Sequence, residues 1–317
     1  MVAADRLPDR ASALTPFRGN SLARCLLIRI SARDGPGNRQ PERHFVKAQQ
    51  KQHRVNVAGL DFDAVTMNES LERIDTMIAS GRPHQIATAN VDFAFQASRD
   101  PELRRILAES ALVVCDGAPL VWAARGKGTP LPERVAGSDM TPRLMAGAAE
   151  KGYRVYLLGG RPDVAEKAVK RLKSQYPALQ IVGAYSPDFA PLDRMDHEGI
   201  CARIRQANPD ILLVSFGCPK QEKWIARNLH RIGSPVCIGV GATIDFLAGE
   251  VKRAPSWIGA LGLEWVFRML QEPRRLAGRY ARNIPFFIRA IVSDLLRARF
   301  GWGVNCRFLN PRQAAKA

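Results

Sequence analysis

The sequence has few of the features that mark metalloproteins, disulfide-bonded proteins or membrane-spanning proteins. Its six cysteines form no C-x-x-C pair, and of its five histidines only His197 lies near a cysteine, Cys201. One such pair falls far short of a metal site, so we expect no metal centre and a reduced, cytoplasmic protein. No apolar run approaches the ~20 residues that span a bilayer, since residues 22–30 and 284–296 are both interrupted by arginine. The sequence therefore predicts no transmembrane helix.

No residue type is abundant enough to indicate a fibrous, fully disordered or disulfide-stapled chain. Glycine (25) and proline (21) are ordinary for 317 residues, of which 46% are apolar and 24% are charged. These proportions are typical of a globular protein. The length fits one large domain or two ordinary domains.

Acidic residues are scarce only at the two ends of the chain. Lysine and arginine (47) exceed aspartate and glutamate (30), which gives a net charge of +17. Residues 1–54 hold 11 basic and 4 acidic groups, residues 251–317 hold 13 and 3, and the body between them holds 23 of each. A nucleic-acid groove would spread its basic residues through the fold. A neutral body with basic ends indicates instead a protein that docks on an anionic surface through an appendage.

Short β-branched runs alternate with helical stretches in the middle of the chain. Strands are expected at 84–90, 112–116, 154–160, 180–185, 210–217 and 236–243. Each parallel strand needs a helix to return the chain, so this alternation predicts an α/β fold, a Rossmann-like parallel sheet with helices on both faces. Ligands bind such sheets at the carboxyl ends of the strands.

The periodicity divides the chain into three parts. Residues 1–53 are basic and without sustained periodicity, which is typical of a disordered extension. Residues 54–250 are expected to form the α/β catalytic domain. Residues 251–317 are expected to form a basic helical appendage, with helices interrupted at Pro273 and Pro285.

The last expected helix, Ile284 to Phe300, is amphipathic. Its apolar face carries Phe287, Ile291 and Leu295, and its polar face carries Arg289, Ser293 and Arg297. This pattern fits a helix that lies in a membrane interface, and it equally fits a terminal helix packed on the core. The basic charge of the appendage favours a membrane-associating helix.

Two expected strand ends carry residues suited to acid–base chemistry. Asp116 follows one strand and precedes a glycine, where it could act as a general base, although Asp-Gly is also an ordinary turn pair. Thr88 and Asn90 end the preceding strand and could orient a substrate. Arg134 precedes a helix start, where it could bind phosphate or simply lie in a surface loop.

Glycine and proline mark two further strand ends. Gly159 and Gly160 allow a close backbone approach, but the three-glycine spacing of dinucleotide sites is missing. Gly217 and Pro219 lead into a helix whose first turn holds Lys220 and Gln221, suited to anions and hydroxyls, or merely a well-formed helix start. The Asp61-Phe-Asp63 spacing resembles a metal-nucleotide motif, but no strand-end context supports it, so we treat it as incidental.

In this order the motifs resemble those of the WecG/TagA/CpsF family of bacterial glycosyltransferases. The resemblance covers about residues 55–290. Its most specific segments are Thr88–Asp92, Cys115–Pro119, Pro132–Asp139, Gly217–Glu222, Gly241–Asp245, Ala248–Pro255, Gly262–Arg268, Glu272–Leu276 and Arg279–Tyr280. The loop at residues 186–191 and the basic N-terminal extension depart from the family pattern.

The resemblance implies an inverting, metal-independent enzyme without a cofactor. Such an enzyme moves a sugar from a UDP-sugar donor to a polyprenyl-diphosphate-linked saccharide, as a peripheral protein at the inner face of the cell membrane. The expected partners are these two substrates and an anionic membrane surface, with no nucleic acid, and a homo-oligomer is left open.

Residue roles also follow from the resemblance. Asp116 resembles the base that deprotonates the acceptor, and Arg134 resembles a diphosphate contact. Thr88, Asn90 and Gln221 resemble groups around the reacting sugars, and Asp245 is similar to a residue near the uracil base. Further substrate contacts are expected from Gly159, Gly160, Gly217, Pro219 and Lys220. Contacts with lipid diphosphate or membrane are expected from Arg268, Arg274, Arg275, Arg279 and Arg282.

Two other classes of function stay open from the residues alone. A sequence pI of 10.2 fits a nucleic-acid or anionic-surface binding protein with a Rossmann-like core. The neutral body and the lack of a recognition motif argue against it. A dinucleotide-dependent enzyme is disfavoured by the missing glycine spacing.

Overall fold

The computed structural model describes residues 53–251, 254, 255, 258 and 263–300. Nearly all of the expected N-terminal extension lies outside these residues, as do residues 301–317 of the expected appendage. The domain boundaries therefore stay predictions.

A six-stranded parallel sheet forms the centre of the fold. The described residues contain eight strands, of which the first two lie outside this sheet: β1 (Arg54–Val57), β2 (Leu60–Asp63), β3 (His84–Ala89), β4 (Leu112–Cys115), β5 (Arg154–Gly159), β6 (Gln180–Tyr185), β7 (Ile211–Ser215) and β8 (Val236–Gly239). Strands β3 to β8 lie in the order β4-β3-β8-β7-β5-β6, and all neighbours are parallel. The six expected strands are all present, and the expected Rossmann-like α/β fold is confirmed.

Helices connect these strands. They are α1 (Met67–Ser80), α2 (Val91–Ala97), α3 (Pro101–Glu109), α4 (Ala118–Gly126), α5 (Gly137–Lys151), α6 (Pro162–Gln175), α7 (His197–Ala207), α8 (Lys220–Ile232), α9 (Thr243–Ala248), α10 (Glu264–Gln271) and α11 (Pro273–Phe300). Capping residues mark where several of them begin: Thr66 and Glu69 form a capping box at α1, and Asp100 caps α3 ahead of Pro101.

Successive side chains of a strand point to opposite faces of the sheet, and each face is covered by helices. In β5, Leu157 packs in a cluster with α1, α5, α6 and α9, whereas Leu158 packs in a cluster with α7 and α8 around Trp224. A third cluster joins β3 and β4 to α2, α3 and α4 around Leu120. Because all of these strands except the edge strand β6 are buried on both faces, they read as apolar runs.

The connections of several neighbouring strands leave the sheet on opposite faces, and β5 and β7 are one such pair. Strand β5 continues into α6 on one face, and its neighbour β7 continues into α8 on the other. In open α/β sheets the crevice outside the carboxyl ends of two such strands is the usual ligand site. This crevice is bordered by Gly159, Gly160 and Gly217.

Strands β1 and β2 form a separate antiparallel hairpin, which the sequence did not predict. Asp63 at its end is buried, and its carboxylate contacts Arg54 (3.3 Å) and Arg73 (3.2 Å) and accepts from the Val113 N–H (2.8 Å). Asp61 of the same hairpin is exposed. Asp63 therefore fixes the hairpin to β4, which agrees with treating the Asp61-x-Asp63 spacing as incidental.

The C-terminal helix differs from the prediction in two ways. An interruption is present at Pro273 as expected, but the last helix begins there instead of at Ile284, because it continues through Pro285 without a break. The apolar face expected to meet a membrane packs instead, at Phe287 and Ile291, against the core cluster around Leu120. This packing after Pro285, together with the buried Leu276 before it, offsets the ~3 kcal/mol that an interior proline costs a helix.

Candidate active site

Asp116 directly follows β4 and lies at the carboxyl edge of the sheet. Its N–H donates to the Ala89 carbonyl of β3 (2.9 Å), and its carboxylate Oδ2 accepts from the Gly137 N–H (3.1 Å). Gly137 is the first residue of α5, whose N-cap residue, Ala136, provides no side-chain acceptor. The Asp116 carboxylate therefore caps the positive end of α5.

The surroundings of Asp116 suit a general base. Burial raises the pKa of Asp116 to about 7. The hydrogen bond from Gly137 and the charge of Arg134 lower this pKa, while the charges of Glu264 and Asp139 raise it. The side chain keeps partial exposure. A base whose pKa lies near the working pH is both available and able to take a proton.

Thr88 and Asn90 lie beside Asp116, as the sequence predicts. The Thr88 hydroxyl donates to the Gly239 carbonyl (3.2 Å), and it lies so close to Gly137 that a Cβ there would be 3.1 Å from Oγ1. Asn90 caps α2 through Oδ1, and a Cβ on Gly117 would lie 3.8 Å from the Asn90 Cβ. The bare glycines at 117 and 137 bring these polar side chains next to the carboxylate.

Arg134 is half-buried at the same edge and is held by two carboxylates. Its Nη2 contacts Asp139 Oδ2 (2.8 Å) and its Nη1 contacts Glu264 Oε2 (2.9 Å). Its loop is fixed by a hydrogen bond from the Val135 N–H to the Cys115 carbonyl (2.9 Å). A cavity beside it is lined by Met67, Glu133, Arg134, Asp139, Pro142 and Arg143. An anionic ligand that reached this cavity would meet a guanidinium already positioned.

Three glycines at the crevice have a left-handed backbone. The φ angles are 96° at Gly159, 76° at Gly160 and 78° at Gly217. A Cβ at Gly159 would lie 2.7 Å from the Ser215 carbonyl oxygen, whereas one at Gly217 would meet nothing within 4 Å. The crevice between β5 and β7 is therefore lined by backbone, which suits a close ligand.

Gln221 joins two strand-end loops. Its Oε1 accepts from the Gly217 N–H (3.1 Å) after β7 and from the Gly241 N–H (3.0 Å) after β8. Its Nε2 donates to Glu222 Oε1 (2.7 Å). The side chain is buried, so Gln221 shapes the sheet edge from within.

Lys220 and Pro219 begin α8 beside the crevice. The Lys220 ammonium donates to the Ala190 carbonyl (2.6 Å) and lies 5.1 Å from the ring centroid of Phe189 and 5.3 Å from that of Phe216. Burial lowers the pKa of Lys220. The loop at residues 186–191 is thereby attached to α8, and the Phe189 ring on it is 98% exposed.

The expected contacts of the appendage are only partly gathered at this edge. Asp245 lies in α9, where the Arg268 guanidinium stands 5.0 Å over the ring of its neighbour Phe246. Arg279 approaches Asp92 at 3.9 Å. Arg274 and Arg282 are exposed, and the side chain of Arg275 lies outside the described part of the structure.

Neither a metal cluster nor a membrane span is found in the described residues. Across the described chain, no three His, Cys, Asp or Glu side chains are grouped so as to hold a metal ion. No described helix is both long and apolar enough to cross a bilayer.

Residues 55–301 match the model of the Glycosyl transferase WecG/TagA/CpsF family. The chain belongs to this family of glycosyltransferases. An N-acetylglucosaminyldiphosphoundecaprenol N-acetyl-beta-D-mannosaminyltransferase of Bacillus subtilis (strain 168) is 36% identical over 190 residues, which are 60% of this chain and 72% of the relative. The protein of the same name from Staphylococcus aureus (strain MW2) is 30% identical over 240 residues, 75% of this chain and 92% of the relative.

Similarity to solved structures adds nothing to this assignment. A mutant arylmalonate decarboxylase matches 52% of this chain and 78% of its own, with 21% identity and a TM-score of 0.23. That score is too low to support a comparison of folds. The family membership of this glycosyltransferase therefore rests on sequence, and it confirms the resemblance stated above.

Three further residues at this candidate site were not predicted as functional. Glu264 pairs with Arg134, and Asp92 accepts from Asn283 Nδ2 of α11 (2.8 Å), so each joins the appendage to the body. Glu222 is fully buried beside Gln221. Each of the three is an acidic residue inside a family motif, which is the one available sequence signal. For Glu264 and Asp92 that signal does not reveal a partner more than a hundred positions away.

Proposed function

We propose that this glycosyltransferase transfers a sugar from a UDP-sugar to a polyprenyl-diphosphate-linked saccharide, with inversion and without a metal ion. The observation that carries the proposal is the position of Asp116. Its carboxylate caps α5 at the sheet edge, its pKa is raised to about 7, and Thr88, Asn90 and Arg134 surround it.

The reaction is a single displacement. Asp116 takes the proton from an acceptor hydroxyl, and the hydroxyl oxygen forms a bond with the anomeric carbon of the donor. The bond from this carbon to the diphosphate oxygen breaks on the opposite side, and UDP leaves with the electron pair. A carboxylate that is ionised over much of the neutral range can take part in this proton transfer.

Cationic side chains offset the charge that grows on the departing UDP. Arg134 is close enough to Asp116 for its charge to lower the pKa of that carboxyl. Arg268 and Arg279 belong to the appendage, and the charges of both lower the pKa of Tyr280. Fixed cations aimed at developing charge are the usual source of such stabilisation.

The names of the relatives suggest the class of acceptor and donor. Both act on N-acetylglucosamine linked through diphosphate to undecaprenol and transfer N-acetylmannosamine. We propose a diphosphate-linked acceptor of this type for the present enzyme and an N-acetylhexosamine or hexose as the donor sugar. The loop at residues 186–191 departs from the family pattern and is attached to Lys220 beside the crevice, so we propose that this loop determines which donor sugar is recognised.

A lipid-linked acceptor requires contact with a membrane. The outer face of α11 carries apolar side chains that are 38–57% exposed, namely Ile284, Ile288, Val292, Leu295 and Leu296. We propose that this apolar stripe and the basic residues around it seat the enzyme on the anionic inner face of the cell membrane.

One experiment tests the central proposal. The purified full-length enzyme is incubated with a panel of UDP-sugars and a short-chain polyprenyl-diphosphate N-acetylglucosamine, and the same panel is repeated with Asp116→Asn. We expect transfer from one donor and a loss of turnover of about 100-fold or more in the variant, with donor affinity kept within a few-fold. Undiminished turnover in Asp116→Asn would show that another group is the base.

A further inference from the structure

Glu222 is a fully buried carboxyl group that the proposed reaction does not use. Its Oε1 accepts from Gln221 Nε2 (2.7 Å), while Oε2 has no hydrogen-bond partner among the described residues. Its backbone carbonyl accepts from Gln85 Nε2 of β3 (3.0 Å). An ionised carboxylate with an unpartnered buried oxygen is costly, so this position favours the neutral acid.

A glycine in β8 leaves the space that this carboxyl occupies. Gly239 of β8 packs against both side chains, and a Cβ there would lie 2.6 Å from Gln221 Nε2 and 2.6 Å from Glu222 Oε1. The carbonyl of the same Gly239 accepts from the Thr88 hydroxyl. The Gln221–Glu222 pair and Thr88 therefore pack around one residue of β8.

Glu222 and two backbone N–H groups together fix the orientation of the Gln221 amide. Two N–H donors, from Gly217 and Gly241, require the oxygen of the amide on their side. An acceptor is then needed on the opposite side for Nε2, and Glu222 Oε1 provides it. With both ends satisfied, one side chain joins the loops after β7 and β8.

We propose that Glu222 is a positioning residue, a neutral carboxylic acid that fixes the Gln221 amide and thereby joins the two loops at the edge of the active site. Burial raises the pKa of Glu222 to about 7, in the direction that a neutral acid requires. Its effect on catalysis rests on the proposed glycosyl transfer; its effect on the loops does not.

The charged and titratable groups around the carboxyl leave it without a paired cation. The Cys218 thiol lies beside it and feels the charges of Asp92 and Arg279. The next charged residue on α8, Lys223, is paired with Asp100 and Glu102 of α3 at 2.6 and 2.8 Å. Opening the loops exposes Glu222 and returns its pKa to the ordinary value of 4.5, so closing the loops over the neutral acid becomes less favourable from about pH 4.5 to about pH 7 and levels off above it.

Amide exchange at Gly217 and Gly241 tests this inference without any substrate. Full-length wild type, Glu222→Gln, Glu222→Leu and the control Glu102→Gln are compared from pH 5 to pH 9, after correction for intrinsic exchange. In wild type and the control we expect protection to fall by about tenfold per pH unit up to about pH 7 and to level off above it, because over this range only the closed state keeps the proton on Glu222. Glu222→Gln keeps its protection throughout, and Glu222→Leu is poorly protected at every pH.

The rate of transfer provides the second readout. We expect turnover to fall several-fold in Glu222→Leu and to stay near that of wild type in Glu222→Gln, which keeps an acceptor for Gln221 Nε2, and in Glu102→Gln. Equal exchange profiles in wild type and Glu222→Gln, or full protection in Glu222→Leu, would overturn the positioning role. If wild type transfers no sugar while the exchange profiles differ as expected, the proposed function fails and the positioning role stands.

Discussion

Two glycines at the crevice between β5 and β7 have similar backbones but different surroundings. Gly159 and Gly217 both have positive φ angles, 96° and 78°. Only at Gly159 would a side chain collide, with the Ser215 carbonyl oxygen and, at 2.9 Å, with the Phe216 ring. The pair thus separates the cost of a left-handed backbone from the cost of filling the crevice.

Alanine at each position measures these two costs. We expect Gly217→Ala to lower the free energy of unfolding by about 1 kcal/mol, the usual penalty for an L-residue in the left-handed region. Gly159→Ala adds a clash with backbone, so a loss of about 3 kcal/mol is expected. Chemical denaturation of both variants provides the comparison. Equal losses would mean that the β7 loop moves aside freely and that the crevice is not rigid.

Single residues also show what the sequence could and could not predict about the site. Asp116, Thr88 and Asn90 were found because polar residues at the ends of neighbouring parallel strands must lie together. The capping of α5 by Asp116 was not predicted, because it depends on a glycine at 137 that only the fold brings to the carboxylate. Gln221 was predicted either to bind substrate hydroxyls or to belong to a helix start, and its link between two loops could not be predicted without the strand order.

Helix α10 connects the appendage to the active site. Glu264 at its first turn holds Arg134 at 2.9 Å, and Arg268 one turn later lies over Phe246 of α9. A diphosphate that uses Arg134 must compete with the Glu264 carboxylate. The same carboxylate raises the pKa of Asp116.

Removing this competing charge has two expected consequences. In Glu264→Gln we expect the affinity for pyrophosphate to increase about two- to fivefold, which corresponds to the ~0.5–1 kcal/mol of a partly exposed ion pair. The pKa of Asp116 falls, so the rise of turnover with pH moves to lower pH. Calorimetric titration and a pH–rate profile measure the two effects.

Glu250→Gln is the matched control for Glu264→Gln. It removes one negative charge that pairs with Lys167 at 2.6 Å and does not touch Arg134. We expect affinity and pH profile to stay near those of wild type. A weaker affinity in Glu264→Gln would show instead that Glu264 holds Arg134 in its working position.

At the level of elements, the strands were easier to predict than the last helices. Strands β3, β4, β5, β7 and β8 are buried on both faces and therefore appear as apolar runs, whereas β6 at the sheet edge is partly exposed. The strands β1 and β2 are short and each includes an exposed residue, so they gave no comparable signal. The faces of α11 were assigned from periodicity alone, which cannot tell which apolar face packs inward when the helix has two.

The whole molecule combines a neutral body with an appendage that is basic and partly apolar. The basic excess of residues 251–317 was evident from the sequence, but the apolar surface that accompanies it was not. Phe287 and Ile291 pack on the body, and the stripe from Ile284 to Leu296 is left on the outside of α11. Exposed apolar area next to basic charge is the combination that binds anionic lipid surfaces.

Vesicle binding tests whether this apolar stripe meets a membrane. The double variant Ile288→Ser/Val292→Ser removes two half-exposed side chains, at ~1 kcal/mol each, so we expect binding to anionic phospholipid vesicles to weaken about tenfold or more. Phe189→Ser removes an exposed apolar residue outside the appendage and serves as control. We expect the double variant to transfer sugar normally to a short-chain acceptor in solution, yet slowly to the same saccharide on a vesicle-embedded polyprenyl diphosphate. Equal rates on both acceptors would mean that the basic charge alone holds the enzyme at the membrane and that the stripe serves another contact.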